Sequence, residues 1–481
     1  MSPLFLCSQA AQIVADYKRS VEGVNVADDQ YLSIKSKFHR RSAEKLRAMC
    51  CRNGGCFIKV GQHLASLEYL LPPEYIDVMK VLHSDAPQTP VSKLFAVLEE
   101  ELGKPVEEVF AEISPQPLGT ASLAQVHRAT LHDGTEVAVK IQHPHVKEHA
   151  FVDMATMELL VRGVAWLFPD FRFLWLAEET KKNLPLELDF VHEAKNCERV
   201  AKMFSHFSFL KVPIIHWKTT TEKVLTMEYC PGGQVNDPQY MRKQQISVDD
   251  VSRKLGQLYS EMIFVQGYIH CDPHPGNVLV NKTSSGTQIV LLDHGLYQTL
   301  HDDFRLSYCA FWRSILEADV AGIEKYAKQM GIGRLFPLFA CIVTARSWTA
   351  VSAGVDKQEF SAEEDNEIKD SAAQYLPEIS QILNDIPREM LLILKTNDLL
   401  RGIESTLRTR ANAASLLTMS KCCVRATADH ERKQCASWFP RVAVTAREQW
   451  TLFTIVLYEF YLWFKGTSVG QTLNRRPLLL S

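Results

Sequence analysis

The stretch that decides the fold is His270-Cys271-Asp272-Pro273-His274-Pro275-Gly276-Asn277, and the short apolar run Val278-Leu279-Val280 follows it. An aspartate here precedes an asparagine by five positions. This is the spacing of a phosphoryl-transfer loop, in which the Asp takes or orients the proton of the acceptor and the Asn holds a metal ion. Because Asp-x4-Asn is common by chance, the motif needs partners elsewhere in the chain.

Two further parts occur in the order that a protein kinase requires. Sixteen residues after Asn277, the apolar run 289–292 leads into Asp293-His294-Gly295, where a kinase places an aspartate that binds Mg²⁺. Upstream, Val137-Ala138-Val139-Lys140 has the form of the strand whose lysine neutralises nucleotide phosphates when a helix glutamate holds it. Four parts in the correct order predict an α+β, bilobal, protein-kinase-like fold.

The local patterns predict a small mixed α/β lobe that is followed by a larger helical lobe. Residues 124–131 and 136–141 alternate as two strands joined by an Asp133-Gly134 turn, and a third strand candidate ends before Pro231-Gly232-Gly233. We expect four segments: a helical N-terminal extension over 1–110, a kinase-like N-lobe over 111–230, a C-lobe over 231–430 and a helical tail over 431–481.

Composition bounds the classes of protein that the chain can belong to. Of its 481 residues, 46% are hydrophobic and 23% are charged, which is typical of a globular protein. With 53 Lys and Arg against 56 Asp and Glu, the net charge is −3. This argues against a nucleic-acid partner, because proteins that bind nucleic acids are usually basic. None of the 12 cysteines forms a Cys-x-x-Cys motif, which argues on sequence grounds against a zinc site or a thioredoxin-type redox motif. We expect free thiols in a reducing compartment.

Membrane and targeting signals are weak. The best apolar run, Trp450 to Phe464, contains Glu459 and is shorter than the roughly 20 residues of a spanning helix. We expect it to be a packed helix rather than a membrane-surface one. A basic stretch between Lys35 and Arg52 favours a solvated helix face over contact with anionic lipid.

Three motifs together resemble the UbiB/AarF-domain atypical kinase family. They are Lys59-Val60-Gly61-Gln62, Glu193-Ala194-x-Asn196 and the His270–Asn277 stretch, and the resemblance covers roughly residues 50 to 430. It implies an atypical kinase or ATPase that uses Mg²⁺ with ATP or ADP. It also implies a mitochondrial location and a small-molecule, lipid or membrane-associated target linked to coenzyme Q and lipid homeostasis, with peripheral membrane contact or a mitochondrial membrane protein partner.

The resemblance assigns roles to residues of this chain. Catalytic residues would be Asp272, Lys140 and Glu193, and the metal ligands would be Asn277 and Asp293. Cofactor-binding residues would be Gly119, Thr120, Ala121, Ser122, Lys140 and Glu228. Gate residues on and facing the Lys-x-Gly-Gln helix would be Lys59, Gln62, Glu187 and Asp189. From the residues alone, Glu187 and Asp189 read more simply as carboxylates at a helix N-terminus.

Three departures from an ordinary kinase affect the predicted function. The phosphate loop at 117–125 carries one glycine, Gly119, so the preference for ATP or ADP stays open. Cys271 stands where many kinases have arginine, and no Ala-Pro-Glu follows Asp293. These departures favour a non-protein acceptor, and they leave open a nucleotide-binding regulator or scaffold of a mitochondrial membrane protein complex.

Overall fold

The computed structural model describes residues 8, 11–16, 31–65, 71–83, 87–167, 174–272, 274–354, 387–407 and 412–466. The chain divides into two compact units. The first unit is drawn from Met1–Gln234 and His274–Leu296, and the second from Val235–Pro273 and Tyr297–Ser481. The four segments expected from the sequence stay a prediction. A mixture of helices and short strands is present, as the predicted α+β class requires.

The helical N-terminal extension is confirmed within the described residues. Its elements are α1 (Tyr31–Asn53), α2 (Gly55–Ala65), α3 (Pro73–Met79), a 3-10 turn (Lys80–His83), α4 (Val91–Leu102) and α5 (Val106–Val109). Helix α2 carries the Lys-x-Gly-Gln motif and begins after Gly54, whose φ of 71° ends α1 in the left-handed region that favours glycine. Cys56, Phe57 and Ile58 are buried on α2, so its apolar face packs into the unit.

A four-stranded antiparallel sheet lies at the centre of the first unit. Its strands are β1 (Phe110–Thr120), β2 (Ala124–Leu131), β3 (Glu136–Gln142) and β5 (Val224–Glu228), in the order β1-β2-β3-β5. The predicted β2–β3 hairpin is confirmed, with Gly134 at a φ of 85° in its turn. Sequence reading placed Gly119 and Thr120 in a loop, which is wrong, because Gly119 pairs with Val126 and Thr120 with Gln125.

Strand β3 divides its residues between two cores. Val137, Val139 and Ile141 pack with α4 in one apolar cluster, whereas Ala138 packs with the helix that begins at Phe190. Because side chains alternate along a strand, Lys140 points to the same face as Ala138 and therefore towards that helix.

Three helices follow β3, and a second sheet completes the unit. The helices are α6 (Val146–Leu167), α7 (Leu174–Glu187) and α8 (Phe190–Met203). Of the two carboxylates read at a helix N-terminus, only Asp189 lies at one, because it caps α8, whereas Glu187 is the last residue of α7. The second sheet has the order β4-β9-β8-β6, with strands β4 (Leu210–Lys211), β6 (Gly233–Gln234), β8 (Val278–Thr283) and β9 (Gly286–Leu291).

The second unit is mostly helical, as the predicted C-lobe requires. Its helices are α9 (Pro238–Lys243), α10 (Val248–Ser260), α11 (Asp302–Leu316), α12 (Val320–Gln329), α13 (Phe336–Thr344), α14 (Trp348–Ala353), α15 (Arg388–Leu407), α16 (Asn412–Gln434) and α17 (Trp438–Gly466). A π-helical turn (Glu261–Gln266) extends α10, and β7 (Tyr268–His270) pairs antiparallel with β10 (Tyr297–Thr299). The buried rings of Tyr259, Tyr308 and Trp312 lie in the core of this unit.

Helix α17 contains the apolar run that was expected to be packed. It does contact α16, and Lys421 of α16 donates to Glu459 at 2.6 Å. However, Trp450, Phe453 and Phe460 are 67%, 51% and 60% exposed, so the expected burial is wrong for these side chains. Three polar residues of α17 form ion pairs with α16, namely Arg447, Glu448 and Glu459. Among the described residues, no helix is long and apolar enough to span a membrane.

The close approach at Gly232 yields a test of the second sheet. A Cβ added there would lie 2.9 Å from the Val280 carbonyl oxygen and 3.0 Å from the Leu279 Cβ. We expect Gly232→Ala to lower the free energy of unfolding by about 1–3 kcal/mol, measured by urea denaturation. The control is Gly163→Ala in α6, where an added Cβ meets nothing within 4 Å and helix propensity favours alanine by about 1 kcal/mol. Equal effects of the two variants on the free energy of unfolding would contradict the close packing around Gly232.

Candidate functional site

Lys140 and Glu193 form a buried ion pair between the central sheet and α8. Lys140 Nζ donates to Glu193 Oε1 at 2.8 Å and to Oε2 at 2.9 Å. The side chains are 12% and 3% exposed. Helix α8 starts where it does because the Asp189 side chain accepts hydrogen bonds from the backbone N–H groups of Val191 and His192. This start places Glu193 in the first turn, opposite β3, as the sequence predicts for a helix glutamate that holds the lysine.

Asp293 is the third charged group at this point. Lys140 Nζ lies 3.4 Å from Asp293 Oδ2, and the other carboxylate oxygen accepts from the Gly295 N–H at 2.9 Å. Two contacts hold the residues around it. Asn196 of α8 donates to the His294 carbonyl at 3.1 Å, and His294 Nε2 donates to the Leu291 carbonyl at 3.0 Å. The Asp293 side chain stays 35% exposed, so it can accept a further ligand.

The electrostatics of the three groups favour a protonated lysine. Burial lowers the pKa of Lys140, but the charges of Asp293 and Glu193 more than reverse this, and the net pKa lies above the ordinary value. Burial raises the pKa of Glu193, and the Lys140 charge opposes that rise. A fixed ammonium beside an accessible carboxylate is the arrangement that neutralises phosphates next to a metal ion.

Asn277 and Asp293 both belong to the first unit. Asn277 closes a 3-10 turn (Pro275–Asn277) in which His274 Nδ1 accepts from the Gly276 N–H at 3.1 Å. The Asn277 carbonyl accepts from the Leu292 N–H at 2.9 Å, so the backbone next to Asp293 is tied to Asn277. Within the described residues, no group of three or more His, Cys, Asp and Glu side chains could hold a metal. One carboxylate and one amide oxygen suit Mg²⁺, which takes its remaining ligands from phosphates and water.

The turn between β1 and β2 is short and well supported. Ala121 N–H donates to the Ala124 carbonyl at 2.8 Å, and His143 Nε2 donates to the Ala121 carbonyl at 3.1 Å. Thr89 donates in turn to His143 Nδ1 at 2.8 Å, and burial lowers the pKa of His143, so the neutral ring fits both bonds. Sequence reading missed Thr89, because it belongs to no recognisable motif.

The predicted nucleotide-binding residues have features that fit a phosphate. Thr120 Oγ1 is buried and finds no hydrogen-bond partner among the described residues, so a donor is available. Ser122 is 5% exposed, and a Cβ at Gly119 would meet nothing within 4 Å. Glu228 ends β5, where it accepts from Ile214 N–H at 3.1 Å and pairs with Lys211 at 2.7 Å. The cofactor-binding roles of these residues stay predictions.

The predicted gate residues lie on and beside α2. Lys59 Nζ lies 2.7 Å from Glu187 Oε2, with side chains 12% and 8% exposed. Gln62 donates to the Leu82 carbonyl at 2.9 Å instead of to this carboxylate, and Asp189 caps α8. Helix α2 and Leu123 of the β1–β2 turn share one apolar cluster. The motif helix and the turn therefore contribute to the same apolar cluster, while the gate role itself stays a prediction.

Asp272 lies in the second unit, where His270 and Lys395 contact it. Its N–H donates to His270 Nδ1 at 3.0 Å, and its Oδ1 accepts from Lys395 Nζ at 3.3 Å. Pro273, which the motif also includes, lies outside the described residues. Lys395 belongs to α15, 123 residues further along the chain, and no sequence signal pointed to it.

The Lys140–Glu193 pair predicts a pH-dependent stability for a lysine variant. In Lys140→Met, burial and the Asp293 charge both raise the pKa of Glu193, and no lysine opposes them. A carboxyl whose folded-state pKa exceeds its unfolded value contributes stability that is complete at low pH and is lost as pH rises through the folded pKa. We expect the free energy of unfolding to fall above the ordinary pKa of 4.5, by up to about 1.4 kcal/mol per pH unit.

This prediction is checked by urea denaturation at several pH values in the presence of EDTA. The wild type keeps the compensating ammonium and serves as the reference. The double variant Lys140→Met/Glu193→Gln removes the titrating carboxyl and should lose the added slope. An equal slope in the single and double variants would show that Glu193 is not the group responsible.

The chain is similar to a family model and to animal proteins. A family model described as an ABC1 atypical kinase-like domain matches residues 81–327. AarF domain-containing protein kinase 1 of Gallus gallus is 54% identical over 463 residues, which cover 96% of this chain and 89% of the chicken protein. AarF domain-containing kinase 1 of Drosophila melanogaster is 50% identical over 437 residues, covering 90% and 84%.

Among solved structures, a Mycobacterium tuberculosis protein in complex with erythromycin aligns with a TM-score of 0.49 and 22% identity, over 78% of this chain and 94% of that one. The assignment rests on the family match, which spans half of the chain, and on the two animal relatives. The chain belongs to the ABC1/UbiB family of atypical kinases.

Proposed function

We propose that the chain is an active atypical kinase or ATPase that uses Mg²⁺ with ATP or ADP. The observation that carries the proposal is the Lys140–Glu193 pair with the exposed carboxylate of Asp293 at 3.4 Å from the same ammonium. Lys140 binds the nucleotide phosphates, and Asn277 and Asp293 hold Mg²⁺. Asp272, five residues before Asn277 along the chain, positions the acceptor hydroxyl or water and takes its proton.

The acceptor is proposed to be a small molecule, a lipid or a membrane-associated target. Support comes from the segment after Asp293-His294-Gly295, where β10 begins at Tyr297 and α11 at Asp302. This leaves a short connection where an ordinary kinase builds its peptide-docking platform. A mitochondrial location with a role in coenzyme Q or lipid homeostasis is proposed from the family resemblance. The exposed aromatic residues of α17 support peripheral membrane contact.

The proposal is tested by nucleotide binding and turnover in the same purified protein. At about 100 times Kd, Mg-nucleotide should stabilise the wild type by about 2.7 kcal/mol, measured as a thermal shift. Asp293→Asn should lose the Mg²⁺-dependent part of the shift, because it removes the carboxylate charge. Asp272→Asn should keep the shift but lose turnover. The idea fails if neither nucleotide shifts the wild type, or if Asp272→Asn turns over at the wild-type rate.

A second candidate function is a nucleotide-binding regulator or scaffold of a mitochondrial membrane protein complex. It is favoured by the Lys59–Glu187 pair and by the apolar cluster that α2 shares with Leu123 of the β1–β2 turn. In this case the nucleotide controls whether α2 stays packed, and transfer chemistry is not required.

Cellular complementation separates the two candidate functions. We expect Asp272→Asn, which leaves the proposed nucleotide ligands intact, to fail to replace the wild type if transfer is needed, and to succeed fully if the nucleotide only regulates. The protein level of the variant is measured in parallel. Lys140→Met, which removes a proposed phosphate ligand, should fail in both cases and is the matched control.

A further inference from the structure

The loop that carries Asp272 lacks a cation of its own. No lysine or arginine occurs in the His270–Asn277 stretch, and Cys271 occupies the position of the usual arginine. In the folded second unit, Lys395 of α15 supplies a positive charge to this loop. Its ammonium donates to Asp272 Oδ1 and to the Cys271 carbonyl oxygen, each at 3.3 Å. One side chain therefore holds both the carboxylate and the peptide that precedes it.

We propose that Lys395 is a positioning residue for Asp272: it fixes the carboxylate and the Cys271–Asp272 peptide in the orientation from which Asp272 serves the acceptor. This inference rests on the proposed function, because it assigns a residue to the same phosphoryl-transfer step.

The contact is better protected than an ordinary surface ion pair. The Lys395 and Asp272 side chains are 19% and 29% exposed. Exposed ion pairs contribute little to the free energy of folding, whereas partly buried, charge-assisted hydrogen bonds are stronger and hold their geometry. The charge of Asp272 also acts on the interior of the unit. Burial raises the pKa of the Tyr259 hydroxyl, and the Asp272 carboxylate raises it further. A nearby ammonium compensates this negative charge.

The backbone on both sides of the contact is held in place. On α15, Ile393, Leu394 and Thr396 are 0%, 4% and 1% exposed, so packing fixes the helix segment from which Lys395 extends. On the loop side, His270 pairs with Tyr297 in the β7–β10 ladder, and its ring accepts from the Asp272 N–H. Lys395 therefore contacts the Asp272 side chain from a helix segment that packing fixes.

The test measures nucleotide turnover of the full chain with Mg-ATP. We expect Lys395→Met to lower kcat about tenfold to a hundredfold, the loss expected for a hydrogen bond to a charged group. The KM for the nucleotide should change less than about threefold, since the proposed phosphate ligands are in the first unit. Lys395→Arg keeps the charge and donors and should recover most of the rate. Adding Lys395→Met to Asp272→Asn should cause no further loss, because both act through one carboxylate.

The matched control is Lys421→Met. Lys421 belongs to the same unit, is 25% exposed and pairs at 2.6 Å with Glu459 rather than with the loop. Its loss should leave kcat unchanged. The inference is overturned if the kcat of Lys395→Met equals or exceeds that of the wild type, or if it is no lower than the kcat of Lys421→Met. It is also overturned if Lys395→Arg has as low a kcat as Lys395→Met. A wild type that binds no nucleotide or shows no turnover overturns the proposed function itself, and this inference with it.

Discussion

The buried contact between Lys140 and Glu193 is the interaction on which the candidate site depends. Two charges with little exposure cost several kcal/mol each to desolvate, and good hydrogen bonds are needed to offset that cost. The pair meets this requirement with contacts of 2.8 and 2.9 Å, and Asp293 adds a second negative charge. A strand and a helix are thus held in one relative position by a polar contact that tolerates little displacement.

Helix α8 connects this pair to the segment that carries Asp293. Glu193 and Asn196 are three residues apart, so they lie on the same face of the helix. The first holds Lys140, and the second donates to the His294 carbonyl, next to Asp293. Asp189 fixes where the helix starts and therefore which residues occupy that face. A carboxylate that the family resemblance places in a gate has a helix-capping contact in this structure.

The N-terminal extension belongs to the same packed unit as the β1–β2 turn. Phe57 and Ile58 of α2 share an apolar cluster with Leu123, and the Lys59–Glu187 pair ties α2 to the end of α7. Anything that shifts α2 must either separate a pair with 12% and 8% exposure or move α7 with it. The Lys-x-Gly-Gln helix, α7 and the turn thus contribute to one apolar cluster.

The sequence by itself determined the fold class, the β2–β3 hairpin and the order of the Lys140, Asp272, Asn277 and Asp293 motifs. These depend on short-range rules: alternation along a strand, a Gly at the turn and fixed spacing within a loop. Tertiary structure alone decided that Gly119 and Thr120 belong to a strand, because their pairing partners on β2 set its length. It also decided that Gln62 bonds to Leu82 and that Lys395 reaches Asp272. Such contacts join residues far apart in the chain, and their geometry arises from packing, which no local pattern records.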